Sequence, residues 1–218
     1  MNDNLIDGVR NIQSALNGTY KFETEQATKQ GLILPLLQAL GYNIFNIDEV
    51  TPEAVADVGI KKGEKVDYKV SVNGQAVMII ECKQRDVVLS DKYIEQLYRY
   101  YATSKVTLAV LTNGDDYWFF TDSDRENIMD TEPYNKIKIP KLQTDSEISN
   151  ALDKYCKANI CDLNVKSDAK EKIFIKECND IADGIINNTI PEYIINAISK
   201  KVGIDTYNDD LNKCPILI

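Results

Sequence analysis

The stretch that decides the fold is VDYKVSVNGQAVMIIECK, residues 66–83. Apolar and polar residues alternate over 66–72, Asn73 and Gly74 follow, and residues 76–80 form an apolar run. Alternation with a period of two is typical of a strand buried on one face, and Asn-Gly is the strongest short signal for a hairpin turn. The stretch therefore predicts two antiparallel strands joined by a tight turn.

Polar side chains close the second of these strands. Glu81 and Lys83 project from one face because successive side chains of a strand alternate, and Cys82 points to the other side, into the core. Asp67 lies on the partner strand, so two carboxylates and one ammonium group can converge at one end of the hairpin. Such a group can hold a divalent cation and a water molecule. Glu-x-Lys also occurs where the solvent face of a strand simply begins, so this pattern alone leaves a structural interpretation open.

The register of the hairpin decides whether the two carboxylates meet. If a two-residue loop joins a regular ladder, Asp67 lies opposite Ile80, and the carboxylates of Asp67 and Glu81 point to opposite faces. A three-residue loop, residues 73–75, places Asp67 across from Glu81 instead. We therefore expect the longer loop, or an equivalent bulge or splay of the strands near Asp67.

Composition limits the class of protein. The chain has 218 residues, of which 44% are hydrophobic and 27% are charged, as in a globular protein with one sizeable core. No apolar run reaches the length of a membrane span, and the first residues lack the basic and apolar regions of a signal peptide, so we expect a cytoplasmic protein. The five cysteines include no Cys-x-x-Cys pair, which favours free thiols over disulfides or a structural zinc.

The sequence contains no histidine. This absence excludes Ser-His-Asp and Cys-His catalysis, His-Glu-x-x-His zinc hydrolysis and the nucleases that use histidine as a general base. The net charge of −9 argues against a protein that coats nucleic acid through bulk electrostatics. Residues 58–105 nevertheless carry nine basic and six acidic side chains, so a mild positive excess surrounds the predicted cation site.

The rest of residues 1–140 supplies helices and further strands. Helical spacing of apolar residues predicts helices at 3–17, at 24–40 with a kink at Pro35, and at 90–101. Strands are predicted at 106–112 and 117–120, with weaker candidates at 43–47 and 136–139, and an exposed basic loop is predicted at 59–65. We therefore predict an α/β domain over residues 1–140, with a mixed sheet of at least four strands flanked by helices.

The sequence pattern changes near Thr144, from which point it predicts helices only. Thr144 and Glu147 have the spacing of a capping box and predict a helix at 144–158. Two more helices are predicted at 167–182 and 191–201. Residues 141–218 are therefore expected to form an acidic, all-helical segment.

The hairpin and the helix before it resemble the PD-(D/E)xK nuclease superfamily. Asp67 and the Glu81-x-Lys83 triplet resemble its motif of two acids and a lysine. The helix that begins near Glu25 and continues through residues 32–42 resembles the opening helix of the N-terminal domain of type I restriction endonuclease R subunits. The resemblance implies a restriction-endonuclease-like fold.

Two stretches after the hairpin extend this resemblance. Gln96 and Tyr100 resemble the Gln-x-x-x-Tyr element of the same nucleases, and residues 108–114 resemble their next strand and turn. The resemblance covers residues 20–122, with four elements in the expected order.

The resemblance implies an Mg²⁺-dependent endonuclease of the restriction type that hydrolyses phosphodiester bonds of DNA, with Mn²⁺ expected to substitute. Asp67, Glu81 and the backbone carbonyl of Cys82 would hold the metal ion. Lys83 would orient the attacking water or help to deprotonate it. Glu25 would steer a water or a second ion.

Further residues are implied in binding. Gln96 and Tyr100 would position the DNA or the site. Basic side chains near the site are candidates for contacts with DNA: Lys61, Lys62, Lys65, Arg85 and Arg99. A solvated loop is an alternative interpretation of the three lysines. The acidic C-terminal helices could bind other subunits of a restriction system.

Two other functions stay open at this point. One is a catalytically silent domain of the same fold that serves as a protein-interaction module. The other is a nuclease that acts on RNA or on single strands. A type I R subunit continues into a helicase motor, whereas this sequence shows no P-loop pattern, so we expect either a fragment or a stand-alone relative.

Overall fold

The computed structural model of the chain describes residues 2–58 and 61–186 and the single residue 196. Contacts within the chain divide it into two compact units, Met1–Lys170 and Glu171–Ile218. The helices are α1 Asp3–Asn17, α2 Glu25–Thr28, α3 Leu34–Ala39, α4 Ile94–Tyr101, α5 Asp145–Leu152 and α6 Val165–Ile186. A π-helical segment, Lys29–Ile33, joins α2 to α3, and short 3-10 turns span Asp91–Tyr93, Ile139–Lys141 and Asp153–Tyr155.

The first unit is built on a six-stranded sheet. Its strands are β1 Val50–Val58, β2 Lys61–Val72, β3 Gln75–Cys82, β4 Leu108–Thr112, β5 Asp116–Phe120 and β6 Asn135–Lys138. Strand order across the sheet follows the chain, and each neighbouring pair is antiparallel except β3 and β4, which are parallel. A parallel pair needs a crossover connection, which here contains α4. The predicted mixed sheet flanked by helices is confirmed, and the fold is an α/β, restriction-endonuclease-like fold.

The two faces of the sheet bury two different hydrophobic clusters. Ile80 of β3 joins Leu36 of α3 in the first cluster, which also takes in the apolar faces of α1 and α5. Ile79 points the other way and joins Leu97 of α4 in the second cluster. Since neighbouring residues of β3 are buried on opposite faces, the strand lies in the middle of the unit.

The hairpin between β2 and β3 has a two-residue loop, so the predicted three-residue loop is wrong. Val72 pairs with Gln75, and Asn73 and Gly74 have φ angles of 51° and 77°, as a type I′ turn requires. A bulge equivalent to the longer loop is present, but it lies beside the turn rather than near Asp67, because the register shifts after Ser71 pairs with Ala76.

The shifted register brings the carboxylates of Asp67 and Glu81 to the same face of the hairpin. Val70 pairs with Met78 and Tyr68 pairs with Ile80. Continuing the same register places Asp67 opposite Glu81. One extra residue in β3 thus achieves what the longer loop was expected to do.

The helix predicted at 24–40 is divided into three parts, with the π-helical segment before α3. Pro35 lies in the first turn of α3, where its missing N–H is tolerated. Gly41, at φ 91°, ends the helix with a Schellman arrangement in which the Tyr42 N–H donates to the Leu37 carbonyl at 3.0 Å.

Several other predictions need correction. Residues 43–47 form turns rather than a strand, and residues 61–65 belong to β2 rather than to a loop, because they pair with the edge strand β1. The capping box of Thr144 and Glu147 is confirmed at the start of α5. The helix predicted at 191–201 lies outside the described residues except for residue 196.

Residues 141–170 pack within the first unit. Ile148 and Leu152 of α5 are fully buried in the first hydrophobic cluster, together with residues of α1. The division of the chain at residue 140 into a nuclease-like part and a helical part stays a prediction. Within residues 2–58 and 61–186, no helix combines the length and the apolar character that a membrane crossing requires.

Candidate active site

Glu81 and Lys83 lie together at the carboxyl end of β3, on the side of the sheet opposite Cys82, as predicted. The Lys83 ammonium group donates to Glu81 Oε1 at 2.6 Å. Glu81 is 3% exposed, and its second oxygen, Oε2, is buried without a hydrogen-bond partner among the described residues. Cys82 is fully buried in the first hydrophobic cluster.

Asp67 bridges the two strands of the hairpin. The ladder between β2 and β3 is regular up to the Tyr68–Ile80 pair. Beyond this pair the Cys82 N–H donates to Asp67 Oδ2 at 2.6 Å. A side-chain carboxylate therefore accepts this amide of β3, which fixes Asp67 next to Glu81 and confirms the predicted convergence.

Lys29 joins the site; helical spacing alone leaves a role there and a solvated helix start equally open for Glu25 and Lys29. Its ammonium group donates to Asp67 Oδ1 and lies 2.8 Å from Glu25 Oε1. Glu25 therefore reaches Asp67 through Lys29 rather than by direct contact. The spacing of four residues between Glu25 and Lys29 placed them on one helix face, but no local signal showed that this face meets the sheet.

Burial and neighbouring charges perturb the ionisation of these groups. Burial, together with the charge of Asp67, raises the pKa of Glu81 to about 7 against the opposing effect of Lys83. Burial acts to lower the pKa of Lys83, but the hydrogen bond and charge of Glu81 outweigh it, so that this pKa is raised. Burial also acts to lower the pKa of Lys29, and Asp67 and Glu25 raise it overall. Both lysines are therefore ammonium groups at neutral pH.

Close packing holds the helical segment against the carboxyl edge of the sheet. The Thr28 hydroxyl accepts the Arg85 N–H at 3.1 Å and donates to the Thr24 carbonyl at 3.1 Å. Gly114, at φ 86°, lies so near that an added Cβ would stand 2.7 Å from Leu32 Cδ1. The turn after β4 therefore needs glycine, and it sets the position of Lys29 relative to β2 and β3.

Gln96 and Tyr100 lie on α4 but outside the carboxylate cluster. The Gln96 side-chain amide donates to the Lys65 carbonyl at 2.6 Å, which fixes β2 two residues before Asp67. Tyr100 is 4% exposed and belongs to the second hydrophobic cluster. A role of either residue in positioning DNA stays a prediction.

The basic candidates for contacts with DNA have acidic partners where their side chains are described. Arg85 pairs with Asp115 at 3.1 Å, Lys65 with Glu53 at 2.8 Å, and Arg99 with Glu95 at 3.7 Å. The backbones of Lys61 and Lys62 belong to β2, but their side chains lie outside the described part of the chain. Their contacts with DNA also stay predictions.

The donors of the site fit a hard divalent cation. Over the described ranges, no group of three or more acidic or cysteine side chains is arranged to hold a metal ion. Mg²⁺ does not need such a group, since it usually keeps several waters and takes one or two carboxylates. The buried Oε2 of Glu81, which has no partner in the described structure, is the oxygen that such an ion would satisfy.

The comparisons with known proteins give one family. The family model described as Type I restriction enzyme R protein N terminus matches residues 24–137. No curated protein and no solved structure matches the chain. The matched range contains Glu25, Lys29, Asp67, Glu81 and Lys83 and covers just over half of the 218 residues. The chain therefore belongs to the family of type I restriction enzyme R protein N-terminal domains.

Proposed function

We propose that the chain is an Mg²⁺-dependent endonuclease that hydrolyses phosphodiester bonds of DNA, as the nuclease domain of a restriction system. Membership of the R-protein family supports the restriction-type nuclease. The single observation that carries the proposal is Glu81 Oε2, a buried carboxylate oxygen without a described partner. The other oxygen of the same carboxylate, Oε1, pairs with the ammonium group of Lys83, and the charge of Asp67 acts on this carboxylate.

Asp67 and Glu81 would hold the metal ion, with the carbonyl of Cys82 as a further ligand. When bound, Mg²⁺ would polarise the phosphate and lower the pKa of a coordinated water. The amide of Cys82 donates to Asp67 Oδ2 and holds the carboxylate against β3. This preorganised geometry supports the role of Asp67, because a ligand held by its neighbours loses little freedom on binding.

Lys83 would orient the attacking water and stabilise negative charge on the phosphate. Its raised pKa keeps the group protonated, which favours these two roles over removal of a proton from the water. Its side chain is 17% exposed, so the ammonium group is partly shielded from solvent, where its charge acts more strongly. Glu25, at 41% side-chain exposure, would stand at the rim and steer a water or a second ion.

DNA is the proposed substrate, and other subunits of a restriction system are the proposed partners. The family is named for the R protein of type I restriction enzymes, and this supports both proposals. The stretch 58–105, which includes Asp67, Glu81 and Lys83, carries an excess of basic residues, and this excess would favour the approach of a phosphate backbone.

Cleavage assays test the proposal directly. The full chain is incubated with supercoiled plasmid, with single-stranded DNA and with RNA of one sequence, each in Mg²⁺, Mn²⁺ or EDTA. We expect nicking and linearisation of the plasmid in Mg²⁺ and Mn²⁺, loss of both in EDTA, and loss of both in Glu81→Gln.

Other outcomes assign other functions. Cleavage of RNA or single strands without cleavage of the plasmid would contradict duplex DNA as substrate. No cleavage of any substrate, by protein that binds Mn²⁺ and unfolds cooperatively, would contradict the enzyme and favour an interaction module.

A further inference from the structure

Lys29 lies between two carboxylates of the proposed site without belonging to the Asp67 and Glu81-x-Lys83 motif. Its side chain is 11% exposed and contacts both Asp67 and Glu25. An ammonium group withdrawn from water in this way needs charged partners, because an unpaired buried charge is strongly unfavourable. The position of Lys29 therefore depends on the same acidic groups that would bind a metal ion.

The backbone around Lys29 fixes the direction of its side chain. The π-helical segment begins at this residue, and such segments frequently mark functional sites in helices. Thr28, directly before it, is fully buried and is tied to the N–H of Arg85 at 3.1 Å. Lys29 is thus held at the carboxyl edge of the sheet by packing as well as by charge.

The hydrogen bonds of Asp67 engage one oxygen with the backbone and the other with Lys29. Oδ2 accepts the Cys82 N–H at 2.6 Å, and this amide belongs to the strand itself. Oδ1 accepts the ammonium group of Lys29. Asp67 and Glu81 would together hold a cation, and Lys29 would therefore compete with it at Asp67.

We propose that Lys29 is a positioning residue that neutralises Asp67 in the metal-free protein and competes with the divalent cation for Asp67 Oδ1. This inference rests on the proposed function, because it assumes a cation site between Asp67 and Glu81. Without Lys29, the carboxylates of Asp67 and Glu81 repel each other across the hairpin. Lys29 stabilises the metal-free fold, lowers the affinity for the cation, and keeps Glu25 as its partner when the cation takes Oδ1.

The variant Lys29→Gln tests the competition. Thermal unfolding is measured in EDTA and in excess Mn²⁺, and the affinity for Mn²⁺ is measured by titration calorimetry. We expect the melting temperature in EDTA to fall by about 5 °C and Mn²⁺ to restore most of the loss. We expect Mn²⁺ to bind at least about tenfold more tightly, the lower end of the effect that one neighbouring charge has on proton affinity. Lys29→Arg, which keeps the charge, should behave like the parent in both measurements.

The chain offers a matched control in Lys154. Its ammonium group pairs with Asp168 at 2.6 Å, with side-chain exposures of 23% and 22%, and neither residue belongs to the site. Lys154→Gln should lower the melting temperature equally in EDTA and in Mn²⁺ and leave the affinity for Mn²⁺ unchanged.

Each result decides the inference. Folding of Lys29→Gln only in Mn²⁺ supports it, whereas failure to fold in both conditions makes Lys29 a structural residue and overturns it. Equal losses of melting temperature in EDTA and Mn²⁺ with an unchanged affinity overturn it as well, while the metal site of the parent stands. If the parent itself binds no Mn²⁺, the proposed metal site fails, and the inference fails with it.

Discussion

Glu81 and Asp122 are two almost fully buried carboxylates, at 3% and 5% exposure. Their pKa values are shifted in opposite directions. Burial raises the pKa of Glu81 to about 7. Burial acts in the same direction on Asp122, but Lys166 and other hydrogen-bond donors outweigh it, so the pKa of Asp122 is lowered. The extent of burial alone therefore does not decide the charge state of either group.

The hydrogen bonds of Asp122 explain its low pKa. Oδ1 accepts the Tyr101 hydroxyl at 3.0 Å, and Oδ2 accepts the Asn127 N–H at 2.7 Å and the Lys166 ammonium group at 2.9 Å. Both oxygens are satisfied by donors that belong to the fold. Asp122 therefore behaves as a structural residue that ties α4, the loop after β5 and α6 together.

Glu81 has one bonded oxygen and one without a partner in the described structure. Its ionised form is therefore unfavourable in the isolated chain, and a cation would remove that cost. The comparison shows how a buried carboxylate that serves the fold differs from one kept for a ligand: the former is saturated with donors, and the latter is not.

The largest effect expected is on catalysis, in Glu81→Gln. The amide keeps the shape of the side chain but loses the charge that would hold the metal ion, so we expect cleavage to fall by about 10³-fold. Stability in EDTA should be equal to the parent's or higher, because the buried charge is gone. Single-turnover cleavage and urea unfolding measure the two quantities. Parent-like cleavage at saturating Mg²⁺ would remove Glu81 from the site.

Asp122→Ala is expected to show the opposite behaviour. Removing this carboxylate leaves the buried Tyr101 hydroxyl and the Lys166 ammonium group without their acceptor, so the free energy of unfolding should fall by about 3 kcal/mol. Cleavage well below the melting temperature should stay at the parent level. Urea unfolding and the same cleavage assay would show this, and a loss of cleavage without a loss of stability would reverse the assignment of the two carboxylates.

Only part of the geometry around Glu81 was predictable from the sequence. Strand alternation is a local property, so the shared face of Glu81 and Lys83 and the burial of Cys82 followed from the pattern alone. The turn at Asn73 and Gly74 was also local. The bulge that aligns Asp67 with Glu81 was foreseen only as one of several solutions, because packing of β3 decides where the extra residue is placed.

Features that depend on distant partners could not be settled from the sequence. Lys29 joins the site only because its helical segment packs on the sheet edge, and Asp122 is saturated by Lys166, far along the chain. β1 carries Pro52 and a residue with positive φ, Glu53, which weaken a strand signal but are tolerated at a sheet edge. Residues 61–65 have the composition of a loop, but they are extended because they pair with β1.

The pH dependence of stability gives the third prediction. The folded-state pKa of Glu81 is about 7, above its value in an unfolded chain, so the folded protein binds more protons and stability falls as pH rises through this range. Between pH 5 and 8 in EDTA, the loss should be about 2 kcal/mol. The lowered pKa of Asp122 acts only at more acidic pH, where protonation of that group destabilises the fold.

Urea unfolding at pH 5 and pH 8 measures this loss. Glu81→Gln should abolish most of the difference, and excess Mg²⁺ should reduce it in the parent, because the cation favours the ionised carboxylate. A pH dependence that persists unchanged in Glu81→Gln would assign it to another group and would undermine the contrast with Asp122.

The smallest effect on stability is expected for Glu25→Gln. This variant tests whether a carboxylate at the rim of the site, like Glu81 and unlike Asp122, serves the ligand rather than the fold. Glu25 is far more exposed than Glu81 and pairs with Lys29 across one helical turn, so its loss should change the free energy of unfolding by less than about 0.5 kcal/mol. Cleavage should nevertheless fall by about tenfold, less than the roughly 10²–10⁴-fold of a group that itself transfers a proton, because Glu25 would only steer the water. Glu53→Gln is the control, since Glu53 pairs with the exposed Lys65 at a similar 2.8 Å and should change neither quantity. Equal cleavage by the two variants would confine the function of the site to Asp67, Glu81 and Lys83.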